Sequence, residues 1–354
     1  MEKATKNYKI SFCTVSMNRL IHLKETLIKN ISDNLNYENI EFVILDYNSN
    51  DGLYDWAKDN LGEYIEKGIV KYFRTEEPKY FHRSHSRNAA FKLATGDIVC
   101  NVDADNFMGV GFAKYINDLF CNEESIVLTG ANPTYNETLS VVGRVCVLKD
   151  HFKKVRGFDE EMENYGWEDI DFLNRLKKIG LKSKRFQHSK HLNAIEHSNI
   201  LRFTNEAFSN NVSATYIRYL TPTFSKVLVL LNNNEYILSD IGGLNSKSVN
   251  LSKDKEIGTW EDRKNKLNFY DNKKKIKYTL NVGNNSHLKH NQIVYYKIID
   301  KKLLNSLKLL LPSLWNKYKL EINERSAETI VNSIRYGEAV VYEGFSSKIP
   351  ATRT

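Results

Sequence analysis

Two carboxylates stand two residues apart in the segment Asn101–Asn106 (NVDADN), directly after an apolar run. On extended backbone, residues i and i+2 project to the same side, so Asp103 and Asp105 can act together. Oxygen ligands of this kind suit a divalent cation that also binds phosphate oxygens. A D-x-D pair is also typical of a solvated turn, so its meaning depends on the element that precedes it.

A second acidic pair lies in Gly166–Phe172 (GWEDIDF). Apolar residues recur there at helical spacing and predict a helix. Glu168 and Asp169 would lie in its first turn, where the helix dipole stabilises negative charge. A carboxylate held beside a hydroxyl can act as a general base, although acids are also ordinary at helix starts.

Three further polar groups flank predicted elements. The basic segment His82–Asn88 (HRSHSRN) opens a helix and suits an anion such as a pyrophosphate, or is a basic surface turn. The loop Asp46–Gly52 follows a strand, and its first carboxylate could accept a hydrogen bond from a nucleotide base, or simply form a turn. The lone His197 is either a structural histidine or a metal ligand, with His188 and His191 as competitors.

The elements that carry these groups alternate along the first 200 residues. Predicted strands are Lys9–Val15, Ile40–Leu45, Ile69–Phe73 and Asp97–Val102, and the helices between them are Leu20–Ile31, Leu53–Asn60 and Ser84–Ala94. This order predicts a doubly wound α/β sheet. Ligands of such sheets bind beyond the carboxyl ends of the strands, which is where the polar groups lie.

The pattern changes beyond about residue 205. Strands are predicted at Val227–Leu231, Tyr236–Ser239, Ile276–Val282 and Ile293–Ile299, and helices at Lys301–Trp315 and Ser326–Arg335. We therefore expect a first domain at residues 1–205 and a smaller α+β C-terminal region at residues 206–354.

The composition is that of a globular chain. It has 354 residues, 41% hydrophobic and 27% charged, which excludes disordered, collagen-like and disulfide-stapled classes. No apolar run is long enough to span a membrane, and the polar start at Met1–Lys9 has no signal-peptide core. We expect a cytoplasmic protein with reduced cysteines.

Positive charge is concentrated near the C-terminus. Residues 245–320 hold 17 Lys and Arg against 6 Asp and Glu, in a chain of net charge +8. Such a region suits an anionic polymer or the inner face of a membrane, although lysine-rich solvated surface explains it as well. The leucines of Lys301–Trp315 predict either an interfacial helix, interrupted at Pro312, or core packing.

Together the motifs resemble family 2-type glycosyltransferases of the GT-A fold. The resemblance covers residues 8–200 and rests on five segments: Ser11–Arg19, Asp46–Gly52, His85–Asp97, Asn101–Asp105 and Val155–Asp169. The last is similar to the "GGFDE…GWGGED" segment of β-1,4-galactosyltransferases, chondroitin polymerases and polypeptide GalNAc-transferases. It departs from that pattern at Arg156, which replaces a glycine, and by the loss of two glycines before Glu168.

The resemblance implies a metal-dependent hexosyltransferase that uses a nucleotide sugar, with UDP-sugar favoured. It implies an inverting transfer to a hydroxyl of a glycan or lipid-linked glycan, in polysaccharide or glycoconjugate synthesis; retention is the minority outcome. It assigns Thr14, Ser16, Asn18, Arg19, Asp46, Arg87 and Asp103 to the nucleotide sugar, Asp105 and His197 (with Asp103 as an alternative) to Mn²⁺ or Mg²⁺, Trp167 and Glu168 to the acceptor, and Asp169 to the general base.

Two other classes remain as alternatives. A nucleotidyltransferase would need a glycine-rich phosphate loop and a lysine near the first strand, and Ser16–Arg19 has neither. A non-catalytic sugar-nucleotide-binding protein would not need Asp103, Asp105 and Asp169 together. No sequence feature indicates nucleic acid as a partner.

Overall fold

The structure is a computed structural model that describes residues 6–130, 141–242, 255–283, 287–345 and 352–353. Its backbone divides into two compact units. The first comprises Met1–Glu163, Trp167–Ser198 and Asn323–Thr354, and the second comprises Asn164–Gly166 and Asn199–Ile322. The start of Met1–Lys9 and part of the basic stretch 245–320 lie outside the described residues.

The first unit is built on a mixed sheet. Its strands up to residue 198 are β1 (Ile10–Ser16), β2 (Ile40–Tyr47), β3 (Val70–Thr75), β4 (Ile98–Asn101), β5 (Asn106–Phe107), β6 (Ile126–Thr129), β7 (Val145–Leu148), β8 (Lys182–Arg185) and β9 (Asn193–Ala194). β1 pairs in parallel with β2 and β4, and β2 pairs in parallel with β3. β7 is antiparallel to both β4 and β6, and β5 and β9 form a separate antiparallel pair.

Helices connect these strands in the predicted order. They are α1 (Leu20–Ser32), α2 (Leu53–Glu66), α3 (Arg83–Leu93), α4 (Phe112–Asn122), α5 (Lys149–Lys154) and α6 (Glu168–Lys178). The predicted strands and helices of the first 102 residues are all present; most ends are shifted by one or two residues, but α2 continues to Glu66 rather than ending at Asn60.

Both faces of the central strands are buried, which explains their continuous apolar sequences. Phe12, Phe42 and Ile44 belong to one apolar cluster, whereas Val43 and Leu45, their neighbours in sequence, belong to another. Successive strand residues point to opposite faces, so one apolar run serves two cores.

The second unit contains a closed antiparallel barrel. Among the described residues its strands are β10 (Val212–Thr221), β11 (Phe224–Leu231), β12 (Glu235–Gly242), β13 (Glu256–Asp262), β14 (Lys266–Tyr270), β15 (Ile276–Val282), β16 (Leu288–His290) and β17 (Ile293–Lys297). Pairing of Ile217 in β10 with Tyr296 in β17 closes the barrel.

In the described residues of this part of the chain there are two α-helices, α7 (Ala207–Asn211) and α8 (Lys301–Arg325). The expected interruption of α8 at Pro312 is wrong, because the helix continues through this residue. Leu307, Leu311 and Trp315 are buried in a cluster with β11 and β12, and Trp315 Nε1 donates to Ser239 Oγ at 3.0 Å. The structure therefore places the apolar face of α8 in a core.

After α8 the chain returns to the first sheet. β18 (Val340–Glu343) pairs antiparallel with β3, and β19 (Thr352–Arg353) pairs with β18. The sheet order in the described residues is β19-β18-β3-β2-β1-β4-β7-β6-β8. The predicted helix Ser326–Arg335 is wrong, since this stretch is turns and irregular backbone. The expected division of the chain at residue 205 did not include this pairing of β18 with the first sheet.

No helix in the described part of the chain is long and apolar enough to cross a membrane.

The packing of α8 predicts a difference between two adjacent leucines. Leu311 is 1% exposed and Leu310 is 42% exposed. We expect Leu311→Ala to lower the free energy of unfolding by about 2–5 kcal/mol, because it leaves a cavity in the core. The matched control, Leu310→Ala, should change it by less than about 0.5 kcal/mol. Guanidinium chloride titrations measure both, and equal losses would contradict this packing.

Candidate active site

One buried arginine joins the two acidic motifs. Arg87 in α3 donates from Nη1 to Glu168 Oε1 at 3.0 Å and to Asp169 Oδ1 at 2.7 Å. Its Nη2 donates to Asp103 Oδ1 at 3.3 Å. The residues after β4 and the first turn of α6 therefore meet at a single guanidinium, which we call the Arg87 cluster (Arg87, Asp103, Glu168 and Asp169).

The start of α6 explains how the acid pair is presented. Trp167 is the N-cap residue and has a φ of 73°, a left-handed conformation that is uncommon for a bulky side chain. Glu168 and Asp169 follow in the first turn, as predicted from the sequence. Strained backbone of this kind is often found at functional sites, where the surrounding structure enforces it.

The surroundings of Asp169 and Asp103 shift the pKa values of these two carboxyl groups in opposite directions. Burial raises the pKa of Asp169 to about 7, with Glu168 and Asp103 adding to the rise and Arg87 opposing it. Burial also acts to raise the pKa of Asp103, but Arg87 and a hydrogen bond from Asn101 outweigh it and lower this pKa below its usual range. The cluster thus contains one readily ionised carboxylate and one that titrates near neutral pH.

Asp103 also accepts a hydrogen bond from a neighbouring asparagine. Asn101 Nδ2 donates to Asp103 Oδ1 and to the Gly143 carbonyl oxygen, both at 2.9 Å. A Cβ atom at residue 143 would lie 2.7 Å from Asp103 Oδ2 and 2.9 Å from Arg87 Nη2. Only glycine leaves room there for the ion pair.

Asp105 faces a different partner from Asp103. Its Oδ2 lies 2.8 Å from His197 Nε2, and its Oδ1 accepts from Asn106 Nδ2 at 2.8 Å. The pairing of β5 with β9 brings His197 to this position, since the Ile195 N–H also donates to the Asp105 carbonyl at 2.8 Å.

A carboxylate and an imidazole at this distance fit two ligands of a divalent cation. Among the described residues, no group of three or more His, Cys, Asp or Glu side chains is arranged to hold a metal. Phosphate oxygens or water would have to supply the other ligands.

The competing histidines have other partners. His191 is buried, with Nδ1 2.6 Å from the Met108 carbonyl oxygen, and it stacks on Tyr115. His188 packs edge-on against the same tyrosine ring. Of these three histidines, the structure brings only His197 to the acidic loop.

The other histidines of the basic segment also make internal contacts. His82 caps α3 by accepting from the His85 N–H, and its Nε2 lies 3.0 Å from the Glu160 carbonyl oxygen. His85 Nδ1 lies 2.7 Å from the Tyr47 hydroxyl. Within this segment, Arg87 donates hydrogen bonds to Asp103, Glu168 and Asp169, and the positive charge of Arg83 also acts on Asp103 and Asp169.

Five of the predicted nucleotide residues lie at the ends of β1 and β2, whereas Arg87 and Asp103 belong to the Arg87 cluster. Thr14 and Ser16 are buried in β1. Asn18 (φ of 56°) receives a bond from the Asn50 N–H at 2.8 Å, and Arg19 is the N-cap residue of α1. These contacts link the first loop to the loop Asp46–Gly52.

Asp46 lies at the floor of this region. It is fully buried, and its carboxylate accepts from the Ser49 N–H and the Tyr72 hydroxyl, both at 2.8 Å. Burial raises its pKa, and these hydrogen bonds oppose the rise. Asp46 therefore shapes the loop in this structure, and its contact with a nucleotide base stays a prediction.

Two neighbours of the acidic loop, Arg144 and His22, were not predicted from the sequence. Arg144 is fully buried, and its Nη2 donates to Asn106 Oδ1 at 3.1 Å and to the Phe107 carbonyl oxygen at 3.0 Å. It therefore supports the residue that binds Asp105. The His22 ring lies 5.4 Å from that of His197, and burial lowers its pKa. The only sequence feature that could have indicated Arg144 is its position as a single arginine directly before an apolar strand.

The unusual arginine of the last motif occupies a glycine-like conformation. Arg156 has a φ of 52° and Gly157 a φ of 70°. A Cβ atom at residue 157 would lie 2.2 Å from Asn88 Oδ1. Both residues thus have a backbone conformation that favours glycine, and Arg156 adopts it with a side chain.

Two family models match the part of the chain that contains this site. Residues 11–161 match Glycosyl transferase family 2, and residues 125–198 match the N-terminal domain of galactosyltransferase. These matches support a glycosyltransferase with a GT-A domain. The predicted fold class, a GT-A α/β domain followed by a smaller C-terminal region, is confirmed.

Solved structures are similar at low sequence identity. The mannosyltransferase PcManGT from Pyrobaculum calidifontis, in complex with GDP-Man and Mn²⁺, is 17% identical, with a TM-score of 0.43, over 54% of this chain and 57% of that one. Residues 1–349 of TarS from S. aureus are 19% identical, with a TM-score of 0.42, over 50% of this chain and 58% of that one. The chain thus spans little more than half the length of these proteins. No curated protein matches it significantly.

Because the pKa of Asp169 is raised, the difference in stability between wild type and Asp169→Asn should depend on pH. A folded-state pKa of about 7 means that the native protein binds a proton more tightly than the unfolded chain. The contribution of this group to stability is therefore present at pH 4 and lost as the pH rises through 7. We expect Asp169→Asn to become more stable relative to wild type between pH 4 and pH 8. Thermal unfolding of both proteins measures this, and a constant difference would show that the pKa is not raised.

Proposed function

We propose that the chain is a metal-dependent glycosyltransferase that moves a sugar from a nucleotide sugar, with a UDP-sugar favoured, to a hydroxyl of a glycan or lipid-linked glycan. The observation that carries the proposal is the Arg87 cluster. It joins Asp103 of the D-x-D segment to the acid pair of α6, so the elements proposed for the donor and for the acceptor meet within hydrogen-bond distance.

Asp169 is the proposed general base. It shares Arg87 Nη1 with Glu168, but its side chain is more exposed, at 13% against 5%. A pKa of about 7 suits a group that accepts a proton near neutral pH. Asp169 would take the proton of the acceptor hydroxyl as that oxygen attacks the anomeric carbon from the face opposite the nucleotide, so that the transferred sugar inverts.

The remaining residues receive roles from their positions. Glu168 and Trp167 adjoin the base and would position the acceptor sugar. Thr14, Ser16, Asn18, Arg19 and Asp46 line the ends of β1 and β2 and would hold the nucleotide. Arg87 would keep the acid pair aligned and lie near the pyrophosphate, next to Asp103.

Asp105 and His197 would hold Mn²⁺ or Mg²⁺, with Asp103 as a further candidate. When bound, such a cation stabilises negative charge on the diphosphate leaving group. The Asp105–His197 pair would be the protein's contribution to this site.

The positive charge of the C-terminal region bears on where the acceptor would be found. A basic C-terminal region suits an anionic polymer or a membrane surface that carries the acceptor, as in polysaccharide or glycoconjugate synthesis. In that case the enzyme would act at the inner face of the membrane.

The direct test is a screen of sugar nucleotides for hydrolysis and transfer, with Mn²⁺, with Mg²⁺ and with EDTA. We expect activity only with metal and tighter calorimetric binding of UDP than of GDP or CDP. Asp105→Ala should abolish transfer and weaken Mn²⁺ binding, while Asp118→Ala, an exposed acid paired with Lys114, serves as the control. Full activity in EDTA would exclude the proposed metal site, and tighter binding of GDP would exclude the proposed base preference.

The acid pair gives a second test, which separates chemistry from binding. Asp169→Asn keeps the size of the side chain and removes its proton affinity, so we expect kcat to fall by about 10²–10⁴ with donor affinity nearly unchanged. In wild type, kcat should rise with pH through about 7.

Glu168→Gln is the comparison variant and should mainly raise the acceptor KM. If Asp169→Asn is active and Glu168→Gln is not, the two roles are exchanged. Near wild-type rates in both variants would refute the assignment of the base to this helix.

A further inference from the structure

An asparagine far from the motifs bridges two buried carboxylates beneath the acid pair. Asn323 Nδ2 donates to Asp159 Oδ2 at 2.9 Å and to Asp171 Oδ1 at 2.8 Å. Asp159 and Asp171 are almost fully buried, and Asn323 is 8% exposed. Buried carboxylates need donors, and one neutral amide supplies a hydrogen to each of them without adding charge.

The bridged residues belong to two separate parts of the site. Asp171 is in α6, two residues after Asp169, and its Oδ2 accepts from Arg175 Nε at 2.7 Å. Asp159 lies in the segment 155–160, which precedes α6 by several residues and belongs to the last motif. Asn323 therefore fixes the helix of the acid pair against this segment. Lys178 Nζ donates to the Asn323 carbonyl oxygen at 2.6 Å and holds the asparagine itself.

The segment 155–160 is in turn fixed to the helix that carries Arg87. Asn88 Oδ1 accepts from the Phe158 N–H at 2.8 Å, and Asn88 Nδ2 donates to the Phe158 carbonyl oxygen at 2.9 Å. Asn88 Nδ2 also donates to Glu160 Oε1 at 2.9 Å. Because Asn88 adjoins Arg87, the segment is a common support for the arginine and for the acid pair.

The end of the chain adds further bonds to this support. We call residues 323–345 the return segment. Asn332 Nδ2 donates to the carbonyl oxygens of Arg156 at 2.6 Å and Phe158 at 2.5 Å. The Gly337 N–H donates to Glu160 Oε1 at 2.6 Å. With the bond from Asn323 to Asp159, the return segment thus contacts four residues of the support: Arg156, Phe158, Asp159 and Glu160.

We propose that Asn323 is a positioning residue that holds the acid pair of α6 against Arg87. The return segment, which belongs to the same compact unit as the Arg87 cluster, would thereby contribute to catalysis. The proposal rests on the proposed function and extends it to residues more than 120 positions beyond the family matches. It follows from the chain of contacts α6–Asn323–Asp159–Phe158–Asn88–Arg87, in which these hydrogen bonds leave little freedom for α6 to move.

Asn323→Leu is the main test, because leucine has a similar volume and donates no hydrogen bond. We expect kcat to fall by about 10–100-fold, since a shift of about 1 Å in a reacting group has effects of this size. The Kd for UDP should stay within about twofold, because the loops after β1 and β2 are not touched. Asn174→Ala is the matched control: it removes an exposed bond of 2.7 Å between α6 and Glu324 and should leave kcat unchanged.

A readout without turnover separates this proposal from the proposed function. The carboxyl pKa of Asp169 can be followed by ¹³C NMR on Asp-labelled protein, with Asp169→Asn for assignment. Loosening the contact with Arg87 in Asn323→Leu should raise this pKa, even if the wild type transfers no sugar. An unchanged pKa, an unchanged kcat, or parallel losses of kcat and UDP binding would each overturn the positioning role.

Asn323→Asp keeps the proposal testable if the leucine variant does not fold. It places a third carboxylate beside Asp159 and Asp171, with Arg175 and Lys178 as the nearby cations. At lower pH this third carboxylate is protonated and can again donate a hydrogen bond. The ratio of kcat in the variant to kcat in wild type should therefore rise as the pH falls from 8 to 6. A ratio that is constant or falls would contradict the proposal.

Discussion

The candidate site depends on one buried ion cluster. A guanidinium removed from water is stable only if it is paired, and removing one partner of such a pair is costly. Arg87 meets this requirement with carboxylates from two separate motifs. The three acids in turn repel one another and need the arginine to stay together. The geometry of the D-x-D segment and that of the acid pair are therefore set by the same side chain.

Backbone conformation makes this cluster possible. Glycine at residue 143 leaves space beside Asp103 and Arg87, and glycine at residue 157 lets Asn88 approach the chain. Trp167 and Arg156 adopt left-handed conformations that glycine would adopt at lower cost. The shortened glycine motif before Glu168 therefore does not remove the turn, because Trp167 itself makes it.

The α/β fold could be predicted because its information is local. Continuous apolar strands, helical spacing and polar residues at strand ends lie within short windows of sequence, and the acids of the site were found in the same way. Contacts between distant residues left no such pattern. The pairing of β18 with β3, the closure of the barrel by β10 and β17, and the burial of Arg144 depend on residues far apart in the chain. The error at Ser326–Arg335 has the same cause, since this stretch is held by tertiary bonds of Asn332 rather than by helical ones.

The two acidic motifs contain chemically different carboxylates, and the difference comes from their surroundings. Asp103 has its pKa lowered by Arg87 and Asn101, whereas the burial of Asp169 raises its pKa to about 7. Asp105 stands apart from the arginine and meets an imidazole instead. Carboxylates whose proton affinities are driven apart are suited to separate tasks, one as a permanent charge and the other as a proton acceptor. The same arginine contributes to both, because it lowers the pKa of each acid: at Asp103 it outweighs burial together with Asn101, whereas at Asp169 burial prevails.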